Sequence, residues 1–268
     1  MSANPRDRMT VEGLRAGYRD GPDVLAGVDL TLRDGELTVV VGPNGSGKST
    51  LVKAAAGLLR PRGGSVRVEG RDLADLSDRD RARRVAVVPQ NLDRWPSLKV
   101  FDLVASGRYA HLSWWRGPGA ADREAVEHAL EQVGLAEQAE RPLTELSGGQ
   151  RQRALVARAL AQSASVFLVD EPTNALDLSH QLDVFSSIGA LTCEGRAVLT
   201  VTHDLNLASQ FATRILLLVD GRFAAQGKPQ EVLRPEVLEP IYGERLRFGS
   251  LPSPMGDGER PYVLPWMS

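Results

Sequence analysis

The stretch LTVVVGPNGSGKSTLVKAAAGLL, residues 37–59, constrains this chain more than any other. LTVVV is short, β-branched and almost wholly apolar, so it reads as a fully buried strand. STLVKAAAGLL reads as a helix that Gly57 weakens near its end. Between them, Gly42, Pro43, Asn44, Gly45, Ser46, Gly47, Lys48, Ser49 and Thr50 fit the pattern G-x-x-x-x-G-K-[ST] in the strand–loop–helix context that it requires. Gly45 and Gly47 allow backbone conformations and a close approach that side chains would block. Backbone N–H groups and the positive end of the helix dipole then converge on an anion. Lys48 supplies charge for the β- and γ-phosphates, and the Ser49 hydroxyl can ligate Mg²⁺. Average composition produces such a match by chance in on the order of one per cent of chains this long, so nucleotide binding is the reading.

A second phosphate-binding device follows about a hundred residues later. LSGGQRQRALVARAL, from Leu146, places two glycines at the start of a helix, with Ser147 able to cap it. VFLVDE, residues 166–171, is a strand ending in two carboxylates. Ligands of parallel sheets sit beyond the carboxyl ends of the strands, where Asp170 and Glu171 emerge. Side chains alternate along a strand, so the two cannot share one task. Asp170 suits a magnesium shell, and Glu171 suits a general base for an attacking water.

The remainder reads as α/β. VEGLRAGY and VDLTLRDGELTVVVG, in the first forty residues, suggest antiparallel strands. SVRVEG and VAVVPQ are further strands. From Asn91 to Gln162 strand-like runs give way to helical ones at 99–106, 121–133 and 151–162, which reads as a helical subdomain inserted into the core. The core resumes with VFLVDEP, a helix from His180, the strand AVLTVTH, a helix at 204–211 and a hairpin RILLLVDGRFAAQG turning at Asp220-Gly221. Residues 249–268 carry Pro and Gly without periodicity and receive no firm structure. Basic residues are scattered and the net charge is −2, which argues against nucleic acid as the main partner. The single cysteine, Cys193, excludes an internal disulfide and a cysteine-based zinc site. Met1–Thr10 is polar and lacks the apolar core of a secretory signal. The longest apolar runs, such as ILLLV at 215–219, are strand-length, so a role at a membrane would come through a partner.

Over roughly residues 9–245 the chain resembles the ATP-binding subunit of an ATP-binding-cassette (ABC) transporter. The resemblance rests on the phosphate loop at 42–50, Gln90 after a strand, LSGGQ at 146–150, the acidic strand end at 170–171, ALD at 175–177 and His203 after another strand, in that order. It implies a P-loop NTPase α/β core with an N-terminal antiparallel β subdomain and a helical subdomain spanning about 91–162, followed by a tail at 246–268. It also implies two copies packed head to tail. Ser147, Gly148, Gly149 and Gln150 of one copy would cover the γ-phosphate of ATP held by the other, and Asp177 would couple the two sites. By the same resemblance Tyr18 stacks on adenine, Gln90 senses the γ-phosphate and links the core to the helical insert, His203 contacts the γ-phosphate, and Gln90 joins Ser49 and Asp170 around Mg²⁺. His111, His128 and His180 show no ligand spacing and read as surface or packing residues. Trp95, Trp114 and Trp115 read as core packing, with a partner groove as the other possibility.

VASGRYAHLSWWRGPGAADREAVEHALEQVGL, ALDLSHQLDVFSSI and the stretch from Val201 to Gly243 resemble the importer subgroup for iron–siderophores, haem and cobalamin. That subgroup pairs the ATPase with a separate membrane permease, fed by a substrate-binding protein, at the cytoplasmic face of the cell membrane. Iron–siderophore is the expectation on subgroup frequency. Asn174 stands where many relatives have Ser. An ABC ATPase without a transport role and an unrelated phosphate-loop kinase are the competing readings. The kinase leaves LSGGQ and the helical insert unexplained.

Overall fold

The structure is a computed structural model that describes residues 6–19, 21–90, 92, 95–112, 117–173, 176–253, 256 and 258–266. Strands β1 (Asp7–Ala16) and β2 (Leu25–Arg33) pair antiparallel, and β4 (Gly63–Val68) and β5 (Arg71–Asp72) complete a four-stranded sheet in the order β2-β1-β4-β5. The intervening β3 (Leu37–Val41) leaves this sheet. It runs parallel to β8 (Ala197–Val201) on one side and β9 (Arg214–Val219) on the other. This corrects the antiparallel reading of VDLTLRDGELTVVVG, and burial gives the reason. β2 alternates in exposure, whereas every residue of β3 is buried, as a strand covered on both faces must be. Gly35 (φ 72°) makes the crossover and donates its N–H to Arg196 O at the foot of β8.

The six-stranded sheet has the order β10-β9-β3-β8-β7-β6, with β6 (Val85–Val88), β7 (Val166–Asp170) and the edge hairpin partner β10 (Arg222–Gly227). Asp220 (φ 46°) and Gly221 (φ 73°) form the turn expected between β9 and β10. Side-chain alternation in this sheet divides the core. Val39, Val41, Phe167, Val169, Ile215 and Leu217 face the helical side, while Val40, Leu168, Leu199, Leu216 and Leu218 face the antiparallel sheet and α1 (Lys48–Ala55). A short α2 (Asp78–Ala82) leads into β6, and the helical side is built from α3 (Val100–Ala105), α4 (Ala120–Gln132) and α5 (Gly148–Ala161), these three within the segment read as helical. Gly107 lets the turn after α3 meet α5, since a Cβ there would lie 2.2 Å from Arg158 O.

Three later elements escaped pattern reading. α8 (Pro229–Val232) and α9 (Pro235–Tyr242) are short, and α9 carries Pro240 inside. Strands β11 (Leu246–Pro252) and β12 (Glu259–Pro265) pair as a hairpin, most of it within residues 249–268, which received no firm structure above. It packs on α7 (Leu205–Phe211), the helix that follows β8, so its stability comes from contacts remote in sequence.

Candidate functional site

The phosphate loop lies at the carboxyl end of β3, and two glycines shape it. A Cβ on Gly42 would sit 2.0 Å from Leu218 O, so only glycine lets the loop leave the sheet there. Gly47 (φ 106°) precedes α1 in a left-handed conformation, with Leu25 Cδ2 3.0 Å from where its Cβ would be. Lys48 opens α1 and folds over the loop, its Nζ donating to Gly42 O (2.9 Å) and Pro43 O (3.1 Å). Burial lowers the pKa of this ammonium, and the charges of Glu171 and Asp170 oppose the shift.

The two carboxylates at the end of β7 turn to different partners. Asp170 is buried and accepts a 2.9 Å hydrogen bond from Ser49 Oγ. Burial raises its pKa, the Ser49 hydroxyl lowers it, and neighbouring Glu171 raises it again. A buried carboxylate beside a hydroxyl is a hard-oxygen pair that suits Mg²⁺, which commonly takes one or two carboxylates and completes its shell with water and phosphate. Among the described residues there is no cluster of three or more His, Cys, Asp or Glu side chains that could hold a metal.

Glu171 has φ 41°, a left-handed conformation that costs about 1–3 kcal/mol for a residue with a side chain. Its N–H donates to Val201 O on β8, which pins the reversed backbone. Its Oε2 accepts from Gln90 Nε2 at 3.1 Å and lies 3.7 Å from His203 Nδ1. Gln90 follows β6 and His203 follows β8, so three strand ends bring residues distant in sequence onto one carboxylate.

Tyr18 is 45% exposed, and its hydroxyl lies 3.5 Å from Thr50 Oγ1. Lys53 Nζ stands 5.7 Å from the Tyr18 ring centroid. Lys53 went unnoticed in the sequence, although its place four residues after Ser49 puts both on one side of α1. Tyr18→Ala is expected to raise the KM for ATP by a stacking contribution of about 1–3 kcal/mol and to leave kcat nearly unchanged. ATPase titration checks this, and an unchanged KM would place the adenine elsewhere.

LSGGQ forms a separate device. Ser147 Oγ accepts from Gln150 N (3.3 Å) and Gln150 Oε1 accepts from Ser147 N (3.0 Å), a reciprocal cap at the start of α5. Ser147 and Gln150 therefore bond to each other rather than to the phosphate loop of their own chain. Asp177 caps α6 (Leu178–Cys193), accepting from His180 N (3.0 Å), Ser179 Oγ (3.1 Å) and His180 Nδ1 (2.5 Å). These bonds, led by the backbone one, lower the Asp177 pKa. The His180 ring packs on Gly149, where a Cβ would meet His180 Cδ2 at 2.7 Å. His180, read from the sequence as a surface or packing residue, thus joins Asp177 to the LSGGQ helix. His111 Nε2 lies 2.8 Å from Gln162 O, and His128 is exposed. Trp95 packs against the core, with the Arg151 guanidinium 5.5 Å from its ring centroid. Trp114, Trp115, Asn174 and Ala175 lie outside the described residues.

A parallel sheet, a phosphate loop and an acidic strand end define a phosphate-loop NTPase. The model of the ABC transporter family matches residues 25–174. The probable siderophore transport system ATP-binding protein YusV of Bacillus subtilis is 40% identical over 235 residues, covering 87% of this chain and 85% of that protein. The hemin import ATP-binding protein HmuV of Pseudomonas entomophila is 42% identical over 240 residues, covering 88% and 92%. Among solved structures, a metal-chelate type ABC transporter in an inward-facing conformation superimposes with a TM-score of 0.82 at 29% identity, covering 97% of this chain and 98% of that one. A dimeric bacterial ABC transporter cassette gives a TM-score of 0.73 at 30% identity, covering 82% and 98%. The chain belongs to the ABC transporter family, as an ATP-binding subunit that hydrolyses ATP.

Proposed function

We propose that this subunit powers import of an iron–siderophore or a related metal chelate through a separate membrane permease, working as a homodimer. The observation that carries the chemistry is the convergence of Gln90 and His203 on Glu171, beside a lysine and a Ser49–Asp170 pair at the phosphate loop. In this reading Gly42–Thr50 hold the phosphates and Tyr18 stacks on adenine. Ser49 and Asp170, with Gln90, hold Mg²⁺, which would offset phosphate charge when bound. Glu171 takes the proton of the attacking water, Gln90 orients that carboxylate, and His203 faces the γ-phosphate. Ser147, Gly148, Gly149, Gln150 and Asp177 serve the nucleotide of the second copy. The cargo follows the relatives' names, and hemin and cobalamin are other cargoes that they print.

No helix among the described residues is long and apolar enough to cross a membrane. In this reading a separate permease supplies the membrane span, and the subunit works at its cytoplasmic face. The helical segment presents a cavity of about 680 Å³ lined by Leu98, Phe101, Tyr109 and Leu112, with Tyr109 72% exposed. An apolar recess of this kind suits a permease segment. The test deletes the gene and measures uptake of radiolabelled ferric siderophore, haem and cobalamin, with complementation by wild type and by a Leu98→Asp, Tyr109→Asp variant. Loss of siderophore uptake alone supports the cargo, while loss of either other ligand alone reassigns it. The double variant is expected to lose uptake and co-purification with a polytopic membrane protein while the isolated subunit keeps its ATPase activity. Normal uptake by that variant would remove the groove from the proposal.

A further inference from the structure

His203 is held from both sides along the chain. Thr202 is buried, donates its N–H to Val40 O on β3, and accepts from Asp204 N through Oγ1 at 3.1 Å. Asp204 then caps α7, its Oδ1 accepting from Asn206 N (2.8 Å) and Leu207 N (2.9 Å). The direction in which His203 leaves the sheet is therefore tied to the position of α7. That helix has only seven residues, too few to be stable by itself. On one side it packs against β3 and α6, with Phe211 and Phe185 ring centroids 5.4 Å apart.

The other side is held by the C-terminal hairpin, at three points spread along α7. Near its start, Asn206 pairs with the backbone of Val263 as a neighbouring strand would. Asn206 Nδ2 donates to Val263 O (3.0 Å), and Val263 N donates to Asn206 Oδ1 (2.9 Å). In the middle, Ser209 Oγ donates to Pro261 O at 2.5 Å. At the end, the buried Arg260 guanidinium donates through Nη1 to Ser209 O (3.2 Å) and Ala212 O (2.8 Å). The last carbonyls of a helix have no partner within it, so a cation placed there satisfies both their hydrogen bonds and the helix dipole. β12 thus replaces the missing turns of a short helix with contacts from the far end of the chain.

We infer that the C-terminal hairpin, through Asn206 and Arg260, is a positioning element for hydrolysis: it braces α7 and thereby sets His203 against Glu171. The inference rests on the proposed role of His203 at the γ-phosphate. It makes Asn206 and Arg260 positioning residues that touch neither nucleotide nor the reacting atoms. Loosening the brace frees the segment on which His203 stands, without altering the phosphate loop or Tyr18. Turnover should then suffer while ATP affinity does not, because misplacing a group that acts mainly at the transition state lowers kcat.

The chain has four histidines, so the imidazole Cε1–H region of an NMR spectrum holds four resonances, and His203→Gln identifies one of them by its loss. The experiment records this spectrum, ATPase kinetics and thermal melting for wild type, His203→Gln, Asn206→Ala and Arg260→Met. Asn206→Ala is expected to shift or broaden the His203 resonance and spare the other three, to lower kcat by about ten- to a hundredfold, and to change KM by less than about twofold. If Asn206→Ala melts below the assay temperature, Arg260→Met, which keeps the apolar bulk of the side chain, is read in its place with the same expectation. An unmoved His203 resonance, or an unchanged kcat, in the folded variant overturns the brace. Wild-type turnover in His203→Gln instead overturns the role of His203. Lost turnover in His203→Gln with normal turnover in the brace variants overturns the brace alone.

Discussion

Glu171→Gln is expected to lower the rate of ATP hydrolysis by about 10²–10⁴-fold while leaving ATP binding intact. Glutamine keeps the length of the side chain and an oxygen that can still accept from Gln90, so the geometry around it survives. What it lacks is the ability to take a proton from water. The neighbouring carboxylate cannot substitute, because Asp170 is buried and already engaged with Ser49. The strained backbone at residue 171 is pinned by its bond to Val201 O, which the substitution leaves in place. With ATP bound and hydrolysis blocked, the variant should accumulate as an ATP-bound dimer. Steady-state phosphate release measures the first effect and size-exclusion chromatography with ATP the second. Turnover near wild type would remove Glu171 as the base.

Mixing two inactive variants should restore activity if the two phosphate-binding devices act across a dimer interface. One partner carries Lys48→Ala with an intact LSGGQ, and the other carries Gly148→Asp with an intact phosphate loop. Lys48→Ala removes the buried ammonium that lies over the loop. Gly148→Asp adds a carboxylate at the first turn of α5, where bulk and negative charge would oppose a phosphate. Either homodimer contains only sites with one broken half and should be nearly inactive. The mixed dimer contains one site with two broken halves and one with two intact halves. Hydrolysis should therefore return, to at most about half of wild type. The bonding of LSGGQ motivates this expectation, since Ser147 and Gln150 cap α5 and leave the chain's own phosphate loop alone. ATP-driven dimer formation is scored beside phosphate release, so that a site assembled across the interface is detected by binding as well as by turnover. Heterodimers that show neither would sink the trans arrangement.

Local backbone requirements explain why so much of the site was legible in the sequence. A phosphate loop needs glycine where a Cβ would strike the sheet, and Gly42 against Leu218 O shows how little choice there is. A buried strand needs an unbroken apolar run, and β3 and β7 have it. A helix start needs a cap, and Ser147 with Gln150 supplies both halves within four residues. Each of these is decided by neighbours in sequence, so the chain alone determined the phosphate loop, the acidic strand end, the LSGGQ helix and the α/β class.

Tertiary structure decided what depends on partners far along the chain. The antiparallel reading of VDLTLRDGELTVVVG failed because pattern shows that β3 is buried, but not which sheet buries it. Gln90, Glu171 and His203 meet only because β6, β7 and β8 lie side by side and end together. His180 shows no ligand spacing, yet the fold lays its ring on Gly149 and its Nδ1 against Asp177. Residues 249–268 have no hydrophobic period, because β12 buries Val263 and is otherwise tied to α7 by hydrogen bonds rather than by a broad apolar face. Periodicity reports burial against a surface, and it is silent where backbone and a buried arginine do the holding. The sequence by itself determined which groups are candidates to bind and hydrolyse ATP; the folded sheet decided which of them stand together, because adjacency of strand ends is set by pairing between distant segments.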